Sequence, residues 1–343
     1  MPTPTKPRIA VLPGDPSGIG PELVARLLAE PGNTGATHIL VVGDAHVVEM
    51  GQRQAGTATR LAHLSQPAAD WWRTASPALC PIETLAADEV QIAEATLASG
   101  RSALRQLDAA LDLAARGIVD GILFAPFNKA AMHQAGMGVE DEHRYMAKRM
   151  GFTGYISEIN VLEGLMTTRV TSHIPLKEVA GRITRQGILD AISLADETLK
   201  RAGHAKPRIA VCALNPHAGD GGNFGREEID LIAPTVREAA AQGIAADGPW
   251  PSDTIFLRAR SGKADAVVIM YHDQGQIAMK LMGFERGVTV SGGLPVPAAT
   301  PAHGTAFDIA GKGQANPRGI QAAFDLVCRM AAAAGTSAAG AAA

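Results

Sequence analysis

Residues 8–29, RIAVLPGDPSGIGPELVARLLA, decide the fold predicted for this chain. Arg8–Leu12 is a short apolar run typical of a buried strand, and a glycine-rich turn leads from it into a helix over Pro21–Ala29. Pro21 suits the first helical position, where its missing N–H costs nothing. The same alternation of buried strand and helix recurs along the chain, which predicts an α/β fold with a largely parallel sheet and right-handed crossovers.

The remaining elements follow from the same pattern. We predict further strands at Ile39–Val42, Ile118–Phe124, Arg169–Ser172, Ile209–Ala213 and Ala266–Met270. We predict further helices at Ile92–Ala115, Ile188–Arg201, Glu227–Ala241 and Gly319–Ala333. A length of 343 residues is enough for about two domains.

Composition and charge exclude several classes of protein. The net charge is −3 and no basic run is long enough to bind nucleic acid. The three cysteines, Cys80, Cys212 and Cys328, are far apart, so neither a disulfide framework nor a cysteine metal site is indicated. No apolar run would span a bilayer, and the first residues lack the apolar core of a signal peptide. We therefore expect a cytoplasmic protein without nucleic-acid or membrane partners.

Polar and glycine-rich segments follow several predicted strands directly. In open α/β sheets, ligands bind at the carboxyl ends of the strands, because the loops there converge and helix N-termini point at them. A shared ligand site is therefore predicted from the segments Gly14-Asp15, Pro126–Lys129, Ser172-His173, Asn215–His217 and Tyr271–Asp273.

Three of the ten histidines are candidate metal ligands. His173, His217 and His272 each lie just beyond an apolar strand. Three imidazoles leave positions for water or substrate, as catalytic metal sites require. Asp253 and Asp273 are candidates for further oxygen ligands or for orienting an imidazole, and loop capping is their ordinary alternative role.

Two loops could lie against a cofactor. Residues 14–22 join a strand to a helix, but Leu23 stands where a Rossmann fingerprint has its third glycine. The segment His303–Pro317 combines small residues with a histidine, an aspartate and an asparagine, and it lacks the periodicity of a core element. Glycine-rich turns such as these let a ligand approach the backbone closely.

These segments together resemble a known family. His303–Pro317 resembles the adenosine-binding loop of the isocitrate and isopropylmalate dehydrogenases, and Val11–Glu22 resembles their opening segment with extra residues inserted. With TSHIPL at 171–176, NPHAG at 215–219 and YHDQG at 271–275, the chain from about residue 8 to residue 330 resembles the 4-hydroxythreonine-4-phosphate dehydrogenase family of pyridoxine biosynthesis.

The resemblance implies a fold and an assembly. The fold would be that of isocitrate dehydrogenase, with two α/β domains and a cleft between them. Residues 1–125 and 293–343 would form the cofactor-side domain, and residues 126–292 the domain for metal, substrate and dimerisation. The family is homodimeric with a shared site, so His173 and His217 would bind the metal from one chain and His272 from the other. Zn, Mg, Mn and Co are the candidate metals.

The resemblance also implies an activity. It is a divalent-metal-dependent, NAD- or NADP-linked oxidation of a small hydroxy acid, with decarboxylation where the product is a β-keto acid. Lys280, Asp253 and Asp273 are the candidate catalytic residues. The residues expected to bind the cofactor are Gly14, Asp15, His303, Gly304, Thr305, Ala306, Asp308 and Asn316.

The chain departs from the family where the family binds the substrate phosphate. His143 and Lys280 match, whereas Arg144 replaces a threonine, Thr289 replaces an asparagine and Ala298 replaces an arginine. Loss of that arginine removes a charge-assisted contact worth about 1.5–3 kcal/mol, and Arg144 is a candidate replacement.

Three alternatives therefore stay open. One is a cis-dihydrodiol dehydrogenase for an aromatic dicarboxylate such as terephthalate dihydrodiol. Another is a phosphate acyltransferase on a related fold, which would leave the three histidines unexplained. The third is a non-catalytic metal-binding protein.

Overall fold

The computed structural model describes residues 6–73 and 75–341, without the side chains of residues 284 and 334–341. The strands are β1 Arg8–Leu12, β2 His38–Gly43, β3 Ala62–His63, β4 Ala78–Pro81, β5 Gly121–Phe124, β6 Ser157–Leu162, β7 Leu165–Arg169, β8 Ile209–Cys212, β9 Ala246–Trp250, β10 Ala266–Ile269, β11 Val288–Gly292 and β12 Ala298–Pro301. The helices are α1 Gly20–Ala29, α2 Pro31–Ala36, α3 Ala45–Ala55, α4 Leu97–Ala115, α5 Lys129–Gln134, α6 Glu142–Arg149, α7 Val179–Arg182, α8 Arg185–Arg201, α9 Ala233–Ala241, α10 Ile255–Arg258, α11 His272–Gly283 and α12 Arg318–Ala341. The predicted α/β class is confirmed.

The chain divides into two compact units. The first contains the residues up to Gly154, Val288–Val290 and the residues from Leu294 onward, and the second contains Tyr155–Gly287 and Ser291–Gly293. The sequence-based boundary at residue 125 would have placed residues 126–154 in the second unit. They belong to the first because α5 and α6 pack against α4.

The sheet of the first unit has the strand order β3-β4-β2-β1-β5-β12-β11. Its pairs are parallel except for β11, which runs antiparallel to β12. The strands β1 and β5 are buried almost throughout because helices cover them, and α12 packs against β5 and β12. This arrangement puts the loops after β1, β5 and β12 within reach of α1 and α4.

The sheet of the second unit has the order β6-β7-β10-β8-β9. Here β6 is antiparallel to β7, and the other pairs are parallel. Its core includes Ala210, Val267 and Ile269, all at most 1% exposed, against α10 and α11. The carboxyl ends of β7, β10 and β8 therefore lie next to one another.

The predicted strand Arg169–Ser172 is wrong, because β7 ends where it was expected to begin. The sequence pattern did not indicate this strand because Thr167 and Thr168 are polar, although both are at most 2% exposed. The Thr168 hydroxyl donates to the carbonyl of Ala191 on α8 at 3.1 Å, which satisfies it inside the core.

Other boundaries also moved. The helix predicted from Ile92 begins at Leu97, because Thr96 caps it by accepting from the Ser99 amide at 3.0 Å. The strand predicted from Ile118 begins at Gly121. The helix α11, which contains two glycines, was not predicted from the pattern. Among the described residues, no helix combines the length and apolar character needed to cross a bilayer.

Candidate active site

Two predicted metal ligands lie together beyond the ends of neighbouring strands. The hydroxyl and the amide of Thr171, after β7, both donate to the carbonyl of Met270, after β10, at 2.7 and 3.1 Å. These bonds draw the following segments together, and the ring centroids of His173 and His272 are 5.5 Å apart. His173 is exposed and has a φ of 51°, so its backbone is held in the left-handed region.

An open cavity of about 430 Å³ lies beside this histidine pair. It is large enough for a small substrate. Its walls are both polar and aliphatic, formed by Thr171, Ser172, His173, Ile174, Leu176, Val179, Tyr271, His272 and Asp273.

Asp273 orients one of the two imidazoles. Its Oδ1 lies 2.6 Å from His272 Nδ1, while its own side chain is 73% exposed. A carboxylate on one ring nitrogen fixes the imidazole and leaves the other nitrogen for a metal. The pair therefore fits a divalent metal that accepts nitrogen ligands and keeps positions open for oxygen.

His217 lies in a different part of the second unit. It is exposed, it begins a left-handed turn over residues 217–221, and its ring centroid is 6.3 Å from that of Phe224. Within residues 6–73 and 75–341, no three histidine, cysteine, aspartate or glutamate side chains form a metal centre. One chain therefore brings two of the three predicted ligands together.

Within one chain, His173 lies beside His272 and not beside His217. The resemblance implied that His173 and His217 would bind the metal from one chain and His272 from the other. In the structure, the histidine beside His173 in the same chain is His272. The physical reason is strand order: β7 is hydrogen-bonded to β10, whereas His217 follows β8 on the other side of β10.

Gln274 connects the ends of β10 and β8. Its Oε1 accepts from the amide of Met270, and its Nε2 donates to the carbonyl of Ala213, both at 2.7 Å. Gln274 lies two residues after His272 on α11, so it ties that helix to the strand preceding His217. Only its place in the YHDQG segment pointed to it in the sequence.

In the first unit, the loop after β1 requires glycine at position 14. Its φ is 79°, and a Cβ there would lie 2.6 Å from the carbonyl oxygen of Ala125. Gln106, which is buried on α4, accepts from the Gly14 amide at 3.0 Å and donates to its carbonyl at 2.9 Å. This double contact fixes the loop after β1, and Gln106 had no signal in the sequence.

Asp15 is buried inside this loop, with 1% of its surface exposed. Its Oδ1 accepts from the Ser17 amide at 2.8 Å. Burial raises the pKa of Asp15 to about 6, and its bonds to Ser17 and Ser99 only partly offset that effect. The buried Asp15 side chain therefore stabilises the turn after β1 through its bond to the Ser17 amide.

The opening loop lies against the segment at residues 303–317. The Ile19 amide donates to the carbonyl of Thr305 at 3.1 Å, and a Cβ at Gly18 would lie 2.9 Å from Thr305 Cβ. The two loops that the sequence singled out for a cofactor thus pack together in one unit.

Glu22 and Arg26 hold the far end of that segment. Glu22, fully buried on α1, accepts from the Ala315 amide at 2.9 Å and from both Nε and Nη2 of Arg26. Arg26 in turn donates to the carbonyl of Gly313 at 2.9 Å. The only sequence signal for this clamp is the i, i+4 spacing of glutamate and arginine.

The other predicted cofactor residues lie along the same segment. Gly304 and Asp308 are exposed, and His303 is partly exposed. Ala306 has a φ of 44°, which turns the chain. Asn316 is exposed, and its Oδ1 accepts from the amide of Arg318, where α12 begins. Their backbone and polar groups thus line an accessible loop.

The predicted substrate-binding pair His143-Arg144 lies on α6. His143 is 3% exposed, while the side chain of Arg144 is 47% exposed. Asp141 caps the helix by accepting from the Arg144 amide at 2.8 Å, and it also accepts from Arg144 Nη1 at 2.5 Å. Glu140 lies 3.4 Å from the same nitrogen.

The remaining candidates are spread over several elements. Lys280 is exposed on α11, and Asp253 is exposed in the turn before α10. Burial raises the pKa of the Cys212 thiol at the end of β8 to about 12, and the charge of Asp253 adds to that rise. Thr289 is half-buried on β11, whereas Ala298 is 1% exposed on β12.

Comparison with known proteins gives a consistent result. Residues 35–327 match the model of the family described as pyridoxal phosphate biosynthetic protein PdxA. A protein of Pseudomonas aeruginosa, provisionally named 4-hydroxythreonine-4-phosphate dehydrogenase 2, is 51% identical over 332 residues, which cover 96% of this chain and 98% of that protein.

Solved structures agree with this match. The crystal structure of a 4-hydroxythreonine-4-phosphate dehydrogenase from Klebsiella pneumoniae is similar with a TM-score of 0.82 at 36% identity, covering 95% of this chain and 98% of that one. A terephthalate 1,2-cis-dihydrodiol dehydrogenase from Burkholderia xenovorans LB400 is similar with a TM-score of 0.68 at 28% identity, covering 94% and 98%.

Proposed function

Because this chain belongs to the pyridoxal phosphate biosynthetic protein PdxA family and is a metal-dependent, NAD-linked dehydrogenase acting on a CH–OH group, we propose that its substrate is a phosphorylated hydroxy acid of the 4-hydroxythreonine-4-phosphate type. One observation supports this proposal above the others. His173 and His272 lie side by side at a cavity, and Asp273 orients His272.

His173, His272 and His217 would hold the metal. A bound divalent metal lowers the pKa of the substrate hydroxyl and stabilises the negative charge that develops on its oxygen during oxidation. Asp273 keeps the imidazole of His272 in one orientation, and Lys280, Asp253 and Asp273 are the candidates for proton transfer. Where the oxidised product is a β-keto acid, loss of CO2 follows.

The loop at residues 303–316 would support the adenosine end of NAD. Gly304 is exposed, and a Cβ there would meet no heavy atom within 4 Å, so a ligand can approach its backbone. Thr305 and Ala315 anchor the two ends of the loop to the first helix and the turn before it. Because the loop is held before the cofactor binds, little ordering is required on binding.

In the first unit, His143, Arg144 and Thr289 are our candidates for binding the substrate's anionic end, and Lys280 is the candidate in the second unit. Arg144 is half exposed, and its planar guanidinium can form two parallel bonds to a phosphate or a carboxylate. Its present partners, Asp141 and Glu140, keep it at the start of α6.

We also propose a homodimer whose two subunits share each metal site. Two large apolar side chains one turn apart on α11, Ile277 and Leu281, are 60% and 84% exposed, and Leu257 is 62% exposed. Exposed apolar side chains such as the pair on α11 are typical of a surface that another chain covers. The third histidine of each site would then come from the second subunit.

A second candidate function is oxidation of an aromatic dihydrodiol carboxylate. The observation that favours it is Ala298, which pairs with Ile122 in the core of the first sheet and is 1% exposed. An arginine contact to a phosphate is therefore absent at this position.

The two candidates are separated by a substrate panel. Purified protein is treated with a chelator, and Zn, Mg, Mn or Co is then added back with NAD. We expect NADH only when a metal is present, and only with phosphorylated four-carbon acids that have vicinal amino and hydroxyl groups or two hydroxyl groups. NADH from a terephthalate-type dihydrodiol instead would establish the second candidate. Turnover that persists in chelator would contradict both.

Single variants test the ligand set. His272→Ala and His217→Ala should each lose metal binding and turnover by at least about 100-fold, with little change in melting temperature because neither side chain is buried. His133→Ala, an exposed histidine on α5, is the matched control. Wild-type metal content in both site variants would remove these histidines from the proposed site.

A further inference from the structure

The turn that contains His217 has an unusual backbone. Residues 217–221 all have positive φ, with values of 53°, 54°, 81°, 44° and 65°. Three of these residues, His217, Ala218 and Asp220, are not glycine. An L-residue in the left-handed region costs about 1–2 kcal/mol, so such a run needs support from the surrounding structure.

A buried carboxylate provides that support. Glu228 is 3% exposed, and its Oε1 accepts from the amides of Leu214 and Asn215 at 2.9 and 2.7 Å. Its Oε2 accepts from Asn215 Nδ2 at 3.0 Å. A Cβ at Gly219 would lie 2.8 Å from this same Oε2, so the carboxylate fills the space beneath the turn.

The backbone at Glu228 is also irregular. It begins a π-helical turn, Glu228–Ile232, that leads directly into α9, where both Glu228 and Ile232 are buried. π-turns inside helices occur frequently at functional sites. Its neighbour Glu227 accepts from the same Asn215 Nδ2 through its Oε2 at 2.7 Å.

We propose that Glu228 is a positioning residue that holds the His217 turn in its left-handed form, so that the imidazole is presented to the metal before the metal binds. The proposal rests on the proposed function in one respect, that His217 is a metal ligand. When Gln replaces Glu228, one oxygen can still accept from the amides of Leu214 and Asn215, but the negative charge and the acceptor for Asn215 Nδ2 are lost. The turn is then held less firmly and relaxes toward ordinary φ values. Metal binding must then reorder the turn, which weakens affinity without removing a ligand.

The test compares Glu228→Gln with Asp230→Asn in the full chain. Asp230 lies on the same π-turn but is exposed and pairs with Arg226, so its variant is the matched control. We expect Glu228→Gln to bind Zn about 10- to 100-fold more weakly and to exchange the amide hydrogens of residues 214–224 at least about tenfold faster. Saturating Zn should restore most of its kcat, because all three histidines are intact, whereas it should not restore His217→Ala.

The outcomes separate this proposal from the proposed function. Wild-type exchange and wild-type Zn affinity in Glu228→Gln would overturn the positioning role. Faster exchange with unchanged Zn affinity in both Glu228→Gln and His217→Ala would show that Glu228 holds the turn but that His217 is not a ligand, and the proposed ligand set would fail. If Glu228→Gln does not fold, Asn215→Ala replaces it. That variant keeps the two amide bonds to Oε1 and loses the bonds from Asn215 Nδ2 to Oε2 of Glu228 and to Oε2 of Glu227. It should show the same changes with smaller size, and wild-type behaviour there would count against the proposal.

Discussion

Backbone strain is concentrated on residues that the site depends on. In the part of the chain that the structure describes, seven residues other than glycine have positive φ. Five of them, His173, His217, Ala218, Asp220 and Ala306, lie in the predicted metal and cofactor loops. Strain of this kind persists only where the surroundings impose it, and it clusters at functional sites. The sequence singled out His173 and His217 from their place after strands, but positive φ at histidine and alanine depends on contacts that a sequence does not show.

Asp15 gives the protein a pH-dependent stability. Its folded pKa of about 6 lies above its ordinary value of 3.8, because burial disfavours the charged form. Its favourable contribution is therefore present at acidic pH and is lost as the pH rises through about 6. A difference of about 2 between the folded and the unfolded pKa corresponds to about 3 kcal/mol. Because part of this loss occurs below pH 5, the stability of Asp15→Asn relative to the wild type should rise by about 1.4 kcal/mol between pH 5 and pH 8, measured by urea unfolding.

The exposed Asp88 provides the control for this experiment. Asp88→Asn should keep a constant difference from the wild type over the same pH range. A constant difference in Asp15→Asn as well would show that the Asp15 carboxyl titrates normally in the folded protein.

Arg144 tests the anion-binding proposal. Arg144→Lys should raise KM for the acid substrate at least about tenfold and leave KM for NAD unchanged, because lysine cannot form two parallel bonds to an anion. Stability should change by less than about 1 kcal/mol, since the side chain is 47% exposed and a lysine can still pair with Asp141. Arg149→Lys, on the same helix and paired with Asp108, is the control. An unchanged substrate KM in Arg144→Lys would leave Arg144 with only its role at the start of α6.

At the level of elements, burial decided what the sequence could predict. Arg8–Leu12 was predicted and observed with the same bounds, because all its residues after Arg8 are buried and apolar. β7 was misplaced because its threonines are buried with their hydroxyls satisfied, as for Thr168. α11 was missed because glycines interrupt its pattern, although the predicted loop at Tyr271–Asp273 lies where it begins. Side chains at strand ends were therefore easier to place than the elements that follow them.

Glu22 and Arg26 on α1 form a clamp that joins this helix to the loop at residues 303–317. Glu22→Gln would keep an oxygen for the Ala315 amide but lose the ion pair that directs Arg26 to Gly313. Loss of a charge-assisted bond of about 1.5 kcal/mol should raise KM for NAD about tenfold, with kcat nearly unchanged.

The control for the clamp is Glu30→Gln, an exposed glutamate just after the same helix. It should keep the wild-type KM for NAD. Equal KM values in both variants would show that the clamp stabilises the fold and not the cofactor loop.

At the level of the whole molecule, the sequence alone could not place the three histidines relative to one another. Strand order puts His173 beside His272, and strand order arises from contacts between segments about 100 residues apart along the chain. The position of His217 relative to them would depend on a second copy of the chain, which no periodicity reveals. The family resemblance supplied the three residues, and the structure shows which two of them lie side by side within one chain.

Hybrid dimers test the shared site. A dimer of one His217→Ala chain and one His272→Ala chain should recover about half of the wild-type activity, because one of its two sites keeps every ligand whether His173 belongs with His217 or with His272. The hybrid of His173→Ala with His272→Ala then shows which histidines come from the same chain. If this hybrid is active, His173 and His272 of one metal site come from different chains. If it is inactive, they come from the same chain. No recovery in any verified hybrid would mean that each site is built within one subunit.

The left-handed run at residues 217–221 also has a consequence for chemical synthesis of this protein. A D-amino acid prefers positive φ for the same steric reason that an L-amino acid avoids it. Ala218, at φ 54° and ψ 41°, already has the backbone of a D-residue. A chain assembled with D-alanine at position 218 should therefore be more stable than the natural one by about 1 kcal/mol, whereas the same exchange within α8 would break the helix. At position 218, D-alanine therefore fits the observed backbone better than the natural L-alanine does.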